Sequence, residues 1–141
     1  GQNLKPKRIV KYQAGASGGA LETRVDGYPF AVGDTPAGIV DEFLPAGGVP
    51  DQDLFYIVID GPTVGVSLSA SPGTITHGSN LVPGAGTGKT NDDAGRVALQ
   101  DLTGATATLG NNIQNKVGRS DSVTNVTATS ANVPMVVHLK K

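Results

Sequence analysis

The sequence has no cysteine and no tryptophan, one methionine, and only three tyrosines and three phenylalanines. Without cysteine, the chain has no disulfide, no thiolate metal site and no cysteine nucleophile. So few aromatic rings do not form the stacking platforms that bind single-stranded nucleic acid. These absences exclude several classes of site at the outset.

Long apolar runs and a charge excess are also missing. The longest apolar run, Leu54–Ile59, is far shorter than the roughly 20 residues of a membrane helix. The formal net charge is −1, whereas nucleic-acid-binding proteins carry a clustered basic surface. We therefore expect no membrane and no nucleic acid as a partner.

Glycine and proline are abundant, with 20 and 9 residues, and they indicate many turns. Valine outnumbers leucine, and threonine is frequent; β-branched side chains pack well on a pleated surface. The composition predicts an all-β (mainly β) fold: a compact sandwich or barrel of short strands with at most one short helix and an extended N-terminal arm.

Alternating apolar and polar residues locate the strands. Leu54–Ile59 is apolar on both faces and is predicted to be the central strand of the core. In the last segment, Val133, Met135, Val137 and Leu139 are predicted to share one face, with His138 on the other. The predicted strands cover residues 9–13, 21–26, 28–32, 54–59, 64–68, 96–102, 105–109, 113–117 and 133–139.

One helix is predicted from Thr35 and Pro36, residues suited to the N-cap and to the first helical position. Apolar residues follow at spacings of three and four, through Ile39, Val40 and as far as Leu44. Residues 78–95 are polar and glycine-rich, and they are predicted to form a long loop.

The charges are unevenly distributed along the chain. Six of the eleven basic residues lie near the two ends, whereas residues 26–60 contain seven acids and no lysine or arginine. We expect residues 1–13 to form an extended basic arm with the first strand, and residues 14–141 to form a single β-rich domain.

Two segments resemble catalytic or nucleotide-binding motifs. Residues 84–90 resemble a phosphate-binding loop, but Pro83 occupies the position where the motif requires its first glycine. Residues 15–19 match the Gly-x-Ser-x-Gly nucleophile elbow, with Ser17 as nucleophile and His138 as a later partner. An elbow leads into a helix, whereas residues 21–26 alternate as a strand. A small serine hydrolase is therefore only a remote alternative, and we expect no enzyme activity.

Candidate metal ligands are scattered. The pairs Asp51 with Asp53 and Asp92 with Asp93 are suited to calcium, but neither has the glycine and distal glutamate of an EF-hand loop. The only histidines, His77 and His138, are far apart in the sequence. We expect no metal and no cofactor.

The order of features resembles the decoration, or cement, proteins of tailed-bacteriophage heads. These features are a basic arm, a short apolar strand core, a Gly/Ser/Thr-rich middle loop and a closing segment from Val117-Gly118-Arg119 to residues 134–139. The resemblance implies a compact β fold, a trimer and a position on the outer capsid surface. It has no diagnostic motif, so no functional residue is carried over.

The expected function is that of a structural virion protein, assembled in the host cytoplasm, that binds the outer capsid surface and links neighbouring coat subunits. The expected partners are the major capsid protein and two further copies in a homotrimer. A head fibre, a tail tube or an adhesin-like domain is the alternative. A basic arm binds an acidic surface or adds to a sheet edge, and its expected capsid-binding residues are Lys5, Lys7, Arg8, Lys11 and Tyr12.

Overall fold

The computed structural model describes residues 4–14, 20–26, 36–48, 50, 53–67, 74–84, 95–103, 113, 115–122, 126 and 133–140. The strands are β1 (Ile9–Ala14), β2 (Ala20–Asp26), β3 (Pro36–Val40), β4 (Ile57–Val58), β5 (Gly61–Val66), β6 (Asn80–Pro83), β7 (Val97–Leu99), β8 (Gly118–Ser120) and β9 (Pro134–Leu139).

The strands form two antiparallel sheets. The first sheet has the order β2-β1-β3-β4, and the second has the order β5-β9-β8-β6-β7. In the second sheet, β9 pairs with β5 along its whole length, from Gly61 opposite Leu139 to Val66 opposite Pro134. This architecture confirms the predicted all-β class.

One apolar cluster, the main core, lies between the two sheets. The first sheet contributes Ile9 and Ile39, which are both fully buried. The second sheet contributes alternate residues of β9, as the sequence predicted, because Met135, Val137 and Leu139 are buried while His138 is exposed. The remaining members are Ile75, Leu81, Val97, Val117 and Val126.

A smaller cluster, the outer core, covers the opposite face of the first sheet. It is built from Leu4, Val10, Ala37 and Val40, and partly buried side chains pack around them. Neighbouring residues such as Ile39 and Val40 are therefore both fully buried, on opposite faces of the sheet. The partly buried members are Tyr12, Val25, Leu44, Phe55 and Ile57.

The helix predicted from Thr35 to Leu44 is wrong. Residues 36–40 form β3, and residues 41–44 form a turn in which the Leu44 amide donates to the Asp41 carbonyl at 3.4 Å. The spacing of Ile39, Val40 and Leu44 suits a helix, but it also suits a strand that is buried on both faces and followed by a turn.

The prediction that Leu54–Ile59 is a central strand is also wrong. Only Ile57 and Val58 pair, with Val40 and Ile39, and β4 is the last strand of its sheet. Two other strands lie where the sequence did not predict them. Strand β6 lies within the predicted loop 78–95, and β8 comes directly after the predicted strand 113–117. The strands predicted at 28–32 and 105–109 lie outside the described residues.

The segment before β1, residues 4–8, packs against the domain. Leu4 is only 8% exposed and belongs to the outer core. The Lys7 amide donates to the Val40 carbonyl at 3.0 Å, and the Val40 amide donates to the Arg8 carbonyl at 2.9 Å. Next in the chain, the Ile9 amide donates to the Gly95 carbonyl at 2.7 Å, which joins β1 to the segment before β7.

Close packing of β8 on β9 predicts that Gly118→Ala destabilises the fold. A methyl group at Gly118 overlaps the His138 carbonyl oxygen, whereas one at Gly47 has no heavy atom within 4 Å. We expect Gly118→Ala to lower the free energy of unfolding by about 1–3 kcal/mol. Urea unfolding measures the change, with Gly47→Ala as the control. Equal midpoints for the two variants would contradict the packing of β8 on β9.

The packing of the N-terminal segment is tested by two leucines of opposite burial. Leu4 is 8% exposed and Leu54 is 100% exposed. We expect Leu4→Ala to lower the free energy of unfolding by about 2 kcal/mol, because it leaves a cavity in the outer core. Leu54→Ala should change it by less than about 0.5 kcal/mol. If Leu4→Ala unfolds at the wild-type urea concentration, the segment does not contribute to the folded domain.

Candidate attachment surface

The five predicted arm residues lie on one continuous segment, but they are not equally accessible. Lys5, Lys7, Lys11 and Tyr12 are half-buried, and Tyr12 packs against the outer core. Arg8 is only 7% exposed. Its guanidinium is therefore not displayed on the surface of the single chain. The predicted contact of this segment with a coat protein stays a prediction.

A turn at Pro6 and Lys7 brings the segment back along β3. Lys7 has a φ of 62°, in the left-handed region that costs an L-residue roughly 1–2 kcal/mol. The hydrogen bond from the Lys7 amide to the Val40 carbonyl and the burial of Leu4 offset this cost. Removing residues 1–11 would also delete Ile9 and Val10, which are fully buried in β1. Such a truncation therefore damages the fold and does not isolate a binding arm.

The segment that resembles a phosphate-binding loop begins directly after strand β6 of the second sheet. Pro83 is the last residue of β6, and Gly84 is buried. The Gly84 amide donates to the Arg96 carbonyl, so the first amide of the motif is already used in the fold. Residues 85–90 lie outside the described residues, as does Ser17 of the nucleophile elbow. Its proposed partner, His138, is exposed on β9.

The candidate metal ligands do not converge in the part of the chain that the structure describes. No group of three histidine, aspartate or glutamate side chains there is placed to hold a metal ion. Asp53 is exposed, and Asp51, Asp92 and Asp93 lie outside the described residues. His77 Nδ1 lies 3.9 Å from Asp121 Oδ1, and both side chains are largely in solvent.

Among the described residues, Asp101 has a clearly lowered pKa. Asp101 accepts hydrogen bonds from the Thr103 hydroxyl at 2.6 Å and the Thr103 amide at 2.8 Å. These two bonds lower the pKa of Asp101 because they favour the ionised carboxylate, the hydroxyl having the larger effect. The carboxylate thus closes a local turn after β7, which is a structural role.

A small half-open groove lies where the two sheets meet. Its cavity volume is about 30 Å³, far below the roughly 300 Å³ at which small-molecule sites usually begin. Pro36, Gly38 and Ile59 lie on the first sheet's side, and Val117 and Leu139 on the second's, with Lys116 and Lys140 beside them. The groove is a shallow seam between the sheets.

A more distinctive feature is an exposed apolar surface at the end of the β3–β4 pair. Phe43 is 88% exposed, Leu54 is 100% exposed and Tyr56 is 82% exposed. We call these three residues the apolar edge patch. Ile59, further along the same segment, is 51% exposed. Half of the longest apolar run, namely Leu54, Tyr56 and Ile59, is therefore on the surface.

The neighbouring residues explain why these side chains point outward. Phe55 and Ile57 pack against the outer core, so the alternation of an extended chain turns Leu54 and Tyr56 away from it. Leu44 also packs against the outer core, and Phe43 beside it is left in solvent. The Asp41 amide donates to the Tyr56 carbonyl at 3.1 Å, which holds the turn at 41–44 beside the start of β4.

Carboxylates flank the apolar edge patch. Asp41, Glu42 and Asp53, here called the acidic rim, are each next or nearly next in sequence to a patch residue. Asp41 Oδ1 accepts a hydrogen bond from the Phe43 amide at 3.0 Å. The ranges that the structure describes show no ion pair to these three carboxylates. The surface therefore combines apolar area with uncompensated negative charge.

The sequence pattern predicts a core strand at Leu54–Ile59 and does not predict that Leu54 and Tyr56 are exposed. A continuous apolar run is typical of a strand that the rest of its own chain buries on both faces. It is equally typical of a strand that is partly exposed and becomes buried when a partner binds. The acidic composition of residues 26–60 was the one available signal for an exposed region.

Within the described ranges, no helix is long and apolar enough to cross a membrane. Comparison with family models, curated proteins and solved structures finds no match to this chain. The function is therefore argued from the exposed surface itself.

Proposed function

We propose that this chain is a structural virion protein that binds the outer surface of a phage capsid and stabilises it by linking neighbouring coat subunits. On this proposal the partner is the major capsid protein, and the chain acts as a homotrimer without catalysing a reaction. The apolar edge patch is the attachment surface.

The single observation that supports this function best is the exposure of three large apolar side chains, Phe43, Leu54 and Tyr56, near the edge strand β4. Large apolar side chains that are exposed as a group, with a polar border, are typical of protein interaction sites. Tyrosine and phenylalanine are also enriched at the centres of interfaces, because they bury a large area at low entropic cost.

The expected strength of one such contact favours a repetitive partner. Burying three large apolar side chains gives roughly 5–9 kcal/mol, while association costs about 4–15 kcal/mol in lost translational and rotational freedom. One patch alone thus binds weakly. A trimer that places three patches on one regular shell gains affinity through multivalency.

The proposal agrees with the resemblance to capsid decoration proteins, which implies a compact β fold and attachment to a coat lattice. The compact β fold is observed. The position on the capsid and the trimeric state are the parts that the experiment below tests.

The double variant Leu54→Ser/Tyr56→Ser is expected to lose attachment. It removes two anchors of the apolar edge patch from a surface that contributes little to stability, so the protein should stay folded. Co-sedimentation with capsids assembled from the coat protein of the same virus should show binding at least about tenfold weaker than wild type.

The matched control is Leu102→Ser, which changes a leucine that is 55% exposed after β7. It should bind like wild type. Light scattering coupled to size exclusion should give three times the 14.3 kDa mass of the chain. A folded wild-type protein that does not sediment with the capsids would contradict the proposal. Assembly into rings or fibres would instead favour a tail-tube or fibre component.

A further inference from the structure

Among the residues that the structure describes, no strand pairs with the outer side of β4. The Tyr56 carbonyl faces β3, because it accepts the Asp41 amide at 3.1 Å. Backbone groups in an antiparallel strand alternate in direction, so those of Phe55 and Ile57 face the other way. In the ranges described, no hydrogen bond to the outward groups of these two residues is found. β4 is also the last strand of its sheet.

An open edge of this kind normally pairs with another strand unless charge or proline prevents it. The acidic rim determines which charge a strand that pairs with this edge can carry. Residues 25–88 contain no lysine or arginine, and the described ranges give Asp41, Glu42 and Asp53 no ion pair. The edge is therefore negative as well as apolar.

The negative charge argues against a two-fold symmetric contact between two copies of this chain at the same edge. A two-fold symmetric contact places the same surface on both sides of the interface. It would bring each acidic rim close to its symmetry mate, and like charges across an interface are unfavourable. A strand with basic residues instead meets opposite charge.

We propose that the β4 edge binds an extended, basic segment of the partner protein as an additional strand of the first sheet. Backbone hydrogen bonds to Phe55 and Ile57 set the register, the apolar edge patch takes alternate apolar side chains, and the acidic rim binds the basic ones. The proposal rests on the proposed function, because it identifies which part of the partner occupies the attachment surface.

The direct probe is a short peptide of alternating lysine and valine, acetylated at the N-terminus and amidated at the C-terminus. Titration into the full chain, followed by amide NMR, should shift the resonances of residues 53–59. It should also slow hydrogen exchange of the Ile57 amide, which becomes hydrogen-bonded. Binding should weaken steeply with added salt, since the charges are exposed.

Two control peptides separate the parts of the argument. The same peptide with an N-methyl group on every residue keeps every side chain but has no amide N–H to donate from either edge, and it should bind about tenfold more weakly. A peptide of alternating glutamate and valine should bind more weakly still. If the methylated peptide binds as well as the parent, strand addition is wrong. If the glutamate peptide binds as well as the lysine peptide, the assignment of a basic partner is wrong.

Charge reversal on the protein supplies the complementary test. Asp53→Lys, at an exposed residue of the acidic rim, should weaken binding of the lysine peptide by about threefold. Asp121→Lys, which changes an exposed acid after β8, is the matched control and should leave it unchanged. If both variants lose the same affinity for the lysine peptide, the effect comes from net charge alone, and the assignment of the binding site to the β4 edge is wrong.

The two proposals fail in different experiments. Capsids that bind the wild-type chain, together with no peptide binding at the edge, leave attachment in place and overturn strand addition. Peptide binding at residues 53–59 without capsid binding supports the edge site and overturns the capsid as its partner.

Discussion

The structure depends on burial of the first sheet on both faces at β1 and β3. Ile9 and Ile39 enter the main core, while Val10 and Val40 enter the outer core. These four residues form two adjacent pairs, and none of them has exposed surface. They fix the register of β1 and β3, because a shift by one residue would exchange the two faces of the sheet. The docked N-terminal segment and the hydrogen bond from Ile9 to Gly95 then connect the sheet to the rest of the molecule.

The main core and the outer core bury the two faces of the first sheet at its centre, and neither core extends past the sheet edge at β4. Phe55 and Ile57 pack against the outer core. Their neighbours Leu54 and Tyr56 contact neither core and are exposed. The candidate attachment surface is thus a consequence of how the sheet terminates. Its negative border gives it a preference among partners without requiring a pocket or a catalytic group.

Several elements were predictable because local pattern and tertiary role agree. In β9, apolar and polar residues alternate, and burial alternates with them. In β1 and β2, the predicted and observed strands coincide closely. The helix prediction at residues 35–44 failed for a definite reason: the adjacent pair Ile39 and Val40 suits one face of a helix, and it suits the two faces of a buried strand equally well.

The sequence alone determined the all-β class, the abundance of turns and the uneven charge, because composition and period-two alternation act locally. Only the tertiary structure decided which apolar residues are covered. Leu4, a lone apolar residue in a basic segment, is buried, whereas Leu54, within the longest apolar run, is fully exposed. Burial depends on what the rest of the chain places opposite a side chain, and a linear pattern does not contain that information.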